Sequence, residues 1–222
     1  MSLILHIDTA LSNSSVCLSN DEKILAITKN NEQQSHSSWL HIAISDFFKN
    51  SSYDISSLKA VSVCIGPGSY TGLRSGLSSA KGLCYALSVP LITVSTTQKI
   101  AFSVKEEATD LICPVIDARR MEVFTANYDK ELNELKAPYA MIVDEKSFDN
   151  LLNEYQITFC GNGIDKLKPI IKHPNASFNP TISDATHMVA ISTEKFKKND
   201  FSELAYTEPL YIKEFYSPSR KD

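Results

Sequence analysis

The sequence predicts an α/β protein of two subdomains, each built on a mixed β-sheet flanked by helices. An apolar strand, a glycine-rich turn and an amphipathic helix follow one another between Val61 and Leu87, and this unit is the centre of the first subdomain. Near the N-terminus, a strand leads through a polar loop into a β-hairpin. A second series of strands begins after the charged stretch 105–110, where we expect the chain to cross between subdomains. The predicted division is therefore 1–104, 105–204 and a C-terminal segment, 205–222, that folds back on a subdomain.

The composition argues against several classes of protein. The net charge is −4 and the sequence pI is about 5.8, whereas domains that bind nucleic acid alone through its phosphates are usually basic. No apolar run approaches the ~18 residues of a membrane helix, and the N-terminus lacks the basic region of a signal peptide. The five cysteines are dispersed without C-x-x-C spacing, which is typical of reduced thiols in the cytosol. We therefore expect a cytoplasmic protein with no membrane partner.

Small residues line the predicted helix of the central unit. Gly66 and Gly68 lie in the turn, where glycine permits close approach of the backbone. Gly72, Gly76 and Ala80 recur every four residues, so they share one side of the helix. The neighbouring side is small too, with Ser75, Ser79, Gly82 and Ala86. Because each interior glycine costs a helix about 1 kcal/mol relative to alanine, we expect close packing here, either on the protein's own sheet or on a second subunit.

Three motifs carry a resemblance to a known family. GPGSYTGLR begins at Gly66, is followed by G-x-x-x-A-K-G-L, and resembles the signature of the TsaB family. DARRMEVF, from Asp117, is similar to the family's second signature, and E-P-x-Y, from Glu208, is similar to its closing one. The resemblance extends from Leu3 to Lys213.

This resemblance implies a non-catalytic scaffold subunit that binds and orders the catalytic relative TsaD. TsaD transfers a threonylcarbamoyl group to adenosine 37 of transfer RNA, and a small ATPase, TsaE, joins the assembly. The resemblance further implies that tRNA is reached only through the complex and that the chain forms a homodimer when alone. The helix around Trp39 and the small-faced helix would form the docking surface, which comprises Trp39, Gly68, Tyr70, Thr71, Gly72, Arg74, Gly76, Ser79, Ala80 and Leu83.

The opening strand, polar loop and hairpin resemble the start of the actin-like ATPase and sugar kinase fold, which is ribonuclease H-like. In that fold an Asp at the end of the first strand helps to hold Mg²⁺ and phosphate, a role that would fall to Asp8 with Thr9 beside it. A glycine turn in the second half touches adenosine, which would place Gly161 and Gly163 at a nucleotide. However, the loop after Asp8 contains no glycine, and Gly-Asn-Gly is also a common tight turn. We therefore expect at most a vestigial nucleotide site and no bound cofactor, and weak binding of ATP, ADP or Mg²⁺ stays open.

The resemblance also bears on catalysis. TsaD carries V-N-H-x-E-G-H after a strand, and its two histidines bind the catalytic metal. Aligned on Val94, this chain has Thr96 and Ile100 in place of those histidines. Isoleucine cannot ligate a metal, and threonine is a poor ligand without carboxylates nearby. No metal site and no catalytic residue are therefore expected.

Two alternatives remain at the level of the sequence. The chain could instead be an enzyme of the same fold that acts alone, hydrolysing ATP or transferring a carbamoyl group with Asp8, Thr9 and Gly163. The adjacent Arg119 and Arg120 either contact an anionic partner or lie in a solvated hairpin loop.

Overall fold

The structure, a computed structural model, describes residues 2–30 and 36–213. It contains a first five-stranded sheet in the order β3-β2-β1-β4-β5. Strand β1 pairs antiparallel with β2 and parallel with β4. The strands are β1 (Leu3–Asp8), β2 (Ser15–Asn20), β3 (Lys23–Lys29), β4 (Ala60–Gly66) and β5 (Leu91–Ser95).

The second sheet repeats the topology of the first. Its order is β10-β9-β6-β7-β8, and β6 pairs antiparallel with β7 and parallel with β9. The strands are β6 (Leu111–Asp117), β7 (Glu122–Asp129), β8 (Glu134–Ile142), β9 (Ile157–Cys160) and β10 (Ala176–Asn179). The prediction of mixed sheets flanked by helices is confirmed.

The helices are distributed unevenly between the two halves. The first half has two long helices, α1 (His36–Lys49) and α2 (Tyr70–Leu87), which cover one face of its sheet. The corresponding helices of the second half have four residues each. The shorter helices are α3 (Thr96–Phe102), α4 (Asp149–Leu152), α5 (Ile164–Leu167) and α6 (Val189–Lys197), and 3₁₀ turns lie at Ile55–Ser57, Lys105–Glu107 and Ala185–Met188. Within the described ranges, no helix has the length and apolar character needed to cross a membrane.

The chain returns to the first sheet after completing the second. The 3₁₀ turn before α6 and the start of α6 pack against Cys17, Cys64 and Val94 of the first sheet. In addition, the Ser192 hydroxyl lies 2.7 Å from that of Ser62 in β4. The sequence division placed residues 105–204 in the second subdomain, whereas 185–197 pack on the first. The physical reason is that the face of the first sheet opposite α1 and α2 has to be covered by apolar residues of another segment. The sequence alone does not show which segment this is.

Several elements of the second half are short. Strand β8 begins at Glu134 because its ladder with β7 extends towards the β7–β8 turn. Helix α4 has four residues, and α5 ends at Leu167. Strand β10 was not predicted, since only four residues pair along β9.

The small side of α2 packs on the end of β1. A Cβ atom added at Gly72 would lie 2.1 Å from the Thr9 carbonyl oxygen, and one at Gly76 would lie 2.2 Å from the Thr9 Oγ1. Thr9 Oγ1 in turn donates a hydrogen bond of 2.7 Å to the Gly72 carbonyl. Of the two explanations for these glycines, the structure therefore shows packing on the protein's own sheet. Gly82 is different, because nothing lies within 4 Å of its added Cβ.

We predict opposite effects for alanine at Gly72 and Gly82. Gly72→Ala forces a methyl group against a backbone carbonyl and should lower the free energy of unfolding by about 1–3 kcal/mol. Gly82→Ala enters open space and should raise it by up to about 1 kcal/mol through helix propensity. Urea unfolding of both variants checks this, and equal effects at the two positions would contradict the packing described.

Candidate functional site

The three sequence motifs meet at one cleft between the two sheets. The cleft has a volume of about 660 Å³. Its walls come from the loop after β1, the start of α2, the β6–β7 turn and the C-terminal segment. GPGSYTGLR, DARR and the closing E-P-x-Y, far apart in sequence, thus contribute to a single site.

The first wall is the N-terminus of α2 and the loop after β1. Ser69 caps the helix, because its hydroxyl accepts a hydrogen bond of 3.3 Å from the Gly72 N–H. The Ser69 N–H donates to the Ala10 carbonyl over 2.7 Å. These contacts fix the helix start directly against the end of β1.

The second wall is the β6–β7 turn. Asp117 accepts a hydrogen bond from the Arg119 N–H at 2.6 Å and forms an ion pair with Lys166 at 2.6 Å. Burial acts to raise the pKa of Asp117, but the hydrogen bonds from Lys166 and the Arg119 backbone outweigh it, so the pKa lies below its usual value. Arg119 and Arg120 both have positive φ, at 69° and 47°, and both side chains are exposed.

The C-terminal segment closes the cleft from one side. The Leu210 N–H donates to the Ile65 carbonyl over 2.8 Å, which fastens the segment to β4. The Tyr211 ring stacks on Tyr70 with centroids 5.1 Å apart, and its hydroxyl accepts a 2.8 Å hydrogen bond from Arg74 Nε. The Arg74 guanidinium also lies 4.0 Å from the centre of the Tyr70 ring.

The segment then crosses to the second sheet. Lys213 Nζ lies 2.6 Å from Glu122 Oε2 at the start of β7. The chain from Leu210 to Lys213 therefore bridges the two halves across the cleft.

Asp8, the predicted Mg²⁺ ligand, is buried in an ion pair. Its Oδ2 atom contacts the ammonium of Lys99 in α3, and both side chains are almost fully excluded from solvent. Its Oδ1 atom accepts a hydrogen bond from the Ala10 N–H at 3.2 Å. Burial alone would lower the pKa of Lys99, but the Asp8 carboxylate outweighs this, and the pKa lies above its usual value. Since both oxygens of Asp8 are engaged inside the protein, the residue does not fit the role of a ligand for exchangeable Mg²⁺.

The positions aligned with metal ligands are also occupied by structural contacts. The Thr96 hydroxyl lies 3.1 Å from the Cys64 sulfur, and Ile100 is buried against the second sheet. Neither residue fits a bound metal. Among the residues that the structure describes, no group of three or more His, Cys, Asp and Glu side chains could hold a metal ion.

Gly161 and Gly163 serve the packing of the second sheet. Gly161 has φ +97°, and a Cβ there would lie 2.5 Å from the Val115 carbonyl oxygen. A Cβ at Gly163 would lie 2.7 Å from Val115 Cγ1. Only Asn162, between them, lines the cleft, and its side-chain oxygen accepts a 3.1 Å hydrogen bond from the Asp117 N–H. Binding of adenosine by the two glycines stays a prediction.

The predicted docking residues fall into three groups. One group packs against the protein's own β1 and first sheet: Gly68, Gly72, Gly76 and Ala80. Another contacts the C-terminal segment: Tyr70 and Arg74. The last is exposed or half-buried on α1 and α2: Trp39, Thr71, Ser79 and Leu83. Thr71 lines the cleft, so of the predicted docking residues only Trp39, Ser79 and Leu83 are available to a partner on the outer side of the helices.

Lys99 was missed by the sequence reasoning. It lies in a stretch of threonines and apolar residues, and a lysine among buried positions signals a buried counter-charge. Thr96 and Ile100, the two positions aligned with metal ligands, lie on the same short helix as Lys99.

Comparison with known proteins identifies the family. A family model for TsaD, tRNA N6-adenosine threonylcarbamoyltransferase, matches residues 23–213. The chain belongs to this family. Its curated relatives within the TsaD/TsaB family include the TsaB protein of Escherichia coli (strain K12), 25% identical over 221 residues, with 95% of this chain and 94% of the relative covered. The TsaB protein of Bacillus subtilis (strain 168) is 31% identical over 125 residues, which are 56% of this chain and 54% of the relative.

Solved structures agree on the fold. An uncharacterized protein from Pseudomonas aeruginosa, described as similar to peptidase YeaZ, superposes with a TM-score of 0.84 and 21% identity over 96% of this chain and 100% of the other. YeaZ from the same organism gives 0.81 and 21% identity over 95% and 100%. The predicted membership of the TsaB family is confirmed by these comparisons together.

We predict that the buried pair is sensitive to the loss of one charge. Lys99→Met leaves the Asp8 carboxylate buried without a counter-ion and should lower the free energy of unfolding by about 3–5 kcal/mol. The double variant Asp8→Asn/Lys99→Met removes both charges and should recover part of that loss. Urea unfolding measures both. A double variant that is less stable than Lys99→Met would contradict the interpretation.

Proposed function

We propose that this chain is the non-catalytic partner subunit of a TsaD-type enzyme in the threonylcarbamoyl modification of adenosine 37 in tRNA. Its curated relatives are named as tRNA threonylcarbamoyladenosine biosynthesis proteins, which supports the process. The observation that carries the non-catalytic role concerns the two positions that align with the metal ligands of TsaD. In this chain they are Thr96, whose hydroxyl forms a hydrogen-bond contact with the Cys64 sulfur, and Ile100, which is buried in an apolar cluster.

The buried pair of Asp8 and Lys99 supports the same role. A catalytic carboxylate has to reach substrate or metal, whereas Asp8 is turned inwards and neutralised by an internal ammonium. The side chain at the end of β1 therefore makes contacts inside the protein and is not positioned to act on a substrate.

The docking surface lies on the outer side of α1 and α2. A groove of about 450 Å³ runs between the helices and is lined by Ile44, Phe48, Tyr53 and Leu83. Two large apolar side chains of these helices are exposed, Ile42 of α1 with 61% and Tyr85 of α2 with 82% of their surface accessible. Exposed apolar groups of this size are typical of protein–protein contacts. We place the TsaD-type subunit here, against the small exposed side of α2 that includes Ser79, Gly82 and Ala86.

The remaining partners follow from this role. In the proposed assembly a TsaE-like ATPase joins the two subunits, and tRNA binds to the complex rather than to this chain alone. Without the catalytic subunit, the same outer side of α1 and α2 pairs with a second copy of the chain. We place the complex in the cytoplasm, where the five buried cysteines stay reduced.

An enzyme of the same fold that acts alone is the second candidate. The cleft of about 660 Å³ favours it, because that volume suits a small-molecule ligand. Calorimetric titration with ATP and Mg²⁺ separates the two candidates. Micromolar affinity for ATP and Mg²⁺ would favour the enzyme, whereas no such affinity is expected of a scaffold.

Assembly with the catalytic subunit provides a direct test of the docking surface. We predict that Gly82→Arg leaves the chain folded, since the position is open, but prevents formation of the mixed complex, because a long charged side chain enters the contact. Asn153→Arg, which adds the same charge at an exposed site on the second half, is the matched control. Gly76→Arg is unsuitable, since its side chain would collide with Thr9 inside the protein.

Light scattering after gel filtration measures the mass of each mixture. Loss of the complex with Gly82→Arg and its retention with Asn153→Arg is the expected pattern. A full-size complex with both variants would overturn the assignment of this surface.

A further inference from the structure

Arg119 and Arg120 are two adjacent positive charges at the edge of the cleft. Both side chains are exposed, and neither guanidinium forms a hydrogen bond or an ion pair within the described ranges 2–30 and 36–213. The two carboxylates that flank this turn have ion-pair partners of their own, because Asp117 is paired with Lys166 and Glu122 with Lys213. In a chain of net charge −4, this leaves two adjacent arginines available for an external anion.

The turn that carries these arginines is strained and firmly held. Both residues have positive φ, a conformation that favours glycine or asparagine. Four interactions hold the turn: Asp117 accepts from the Arg119 N–H, Lys166 bonds both Asp117 and the Glu122 carbonyl, and the Glu122 N–H donates to the Arg119 carbonyl. Backbone strain kept in a rigid turn is typical of functional positions. The two guanidiniums are thus presented from a fixed support.

Aromatic rings face the same cleft from its other wall. Arg119 and the stacked pair of Tyr70 and Tyr211 all line the cleft. Tyr211 keeps 38% of its surface exposed. An arginine-bearing groove with an accessible aromatic ring is the arrangement by which proteins hold single-stranded nucleic acid, with phosphates on the cations and a base on the ring.

We propose that this cleft mouth binds a single-stranded segment of the tRNA within the complex, with Arg119 and Arg120 on its phosphates and the Tyr211 ring under a base. The inference rests on the proposed function and deepens it, because the chain then touches the RNA as well as the catalytic subunit. An acidic segment of a protein partner would use the arginines but not the ring, so the combination favours RNA. The acidic chain is not expected to hold RNA by itself; its contacts add to those of its partner.

The test measures tRNA affinity of the assembled complex by filter binding over a range of potassium chloride concentrations. Arg119→Gln/Arg120→Gln should weaken binding about tenfold at low salt and reduce the slope of log K against log salt by about 1 to 2. Lys23→Gln/Lys130→Gln is the matched control, with the same charge change at exposed residues whose strand ends lie away from the cleft. It should bind like the wild type.

Two variants of Tyr211 test the ring. Tyr211→Leu should weaken tRNA binding with little change in the salt slope, whereas Tyr211→Phe, which loses only the hydrogen bond from Arg74, should bind normally. Equal losses in both would mean that the hydroxyl contact matters structurally and would overturn the stacking role.

The outcomes separate this inference from the proposed function. If the wild-type chain joins the catalytic subunit and the double arginine variant joins it equally but binds tRNA as tightly as the wild type, this inference alone fails. If the arginine variant no longer joins the catalytic subunit, the arginines contact protein and the inference also fails. If the wild-type chain itself does not join the catalytic subunit, the proposed function fails and the inference with it.

Discussion

The buried ion pair between Asp8 and Lys99 is the contact on which the arrangement of the two halves depends. Lys99 lies on α3, and α3 contacts β4 and β5 of the first sheet as well as β6 and β7 of the second. The same helix places the Thr97 hydroxyl 3.0 Å from that of Tyr128 in β7. The charge on Asp8 thus fixes a helix that both sheets share. Because the Asp8 carboxylate is buried and already paired with Lys99, this end of β1 is poorly suited to bind an exchangeable cation.

The two halves share a topology but differ in the surfaces that they offer. Both halves use the order 3-2-1-4-5, and in both a glycine turn packs near the central strand, Gly68 against Ala10 in the loop after β1 and Gly163 against Val115 of β6. Among the described residues, the two long helices, α1 and α2, both lie in the first half. The first half therefore offers the extended helical surface that we propose for a protein partner. The second half contributes the β6–β7 turn, whose Arg119 lines the cleft.

The fold class could be predicted because the clearest local patterns of the sequence correspond to strands and helices of the structure. The run from Val61 to Ile65 became β4, and the four- and three-residue spacing of apolar residues after it became α2. The return of residues 185–197 to the first sheet was not predictable, since packing over a long sequence separation leaves no local periodicity. The same limit applies to the short strand β10, whose four residues have no distinct pattern.

At the site, the sequence identified the motifs but not their contacts. From the sequence, the three signatures are linked only because they resemble those of one family. In the structure they lie around one cleft, which Tyr70, Tyr211 and Arg119 line. The glycines at 72 and 76 were correctly identified as places of close approach, but periodicity cannot distinguish the protein's own β1 from another subunit. The lysine at position 99 lies among apolar residues and so signals a buried counter-charge, but the sequence does not identify Asp8, 91 residues away, as that counter-charge.

In the proposed assembly, catalysis resides in the TsaD-type subunit and this chain enables it. The most direct measurement is formation of threonylcarbamoyl adenosine in tRNA by this chain alone, by the catalytic subunit alone, and by both together with the TsaE-like ATPase. A fourth reaction contains a catalytic subunit inactivated at its own active site. We expect product only when the active catalytic subunit is present, and more of it when this chain is added. Product from this chain alone, or product with the inactivated subunit, would show that this chain is itself catalytic and would overturn the proposed function.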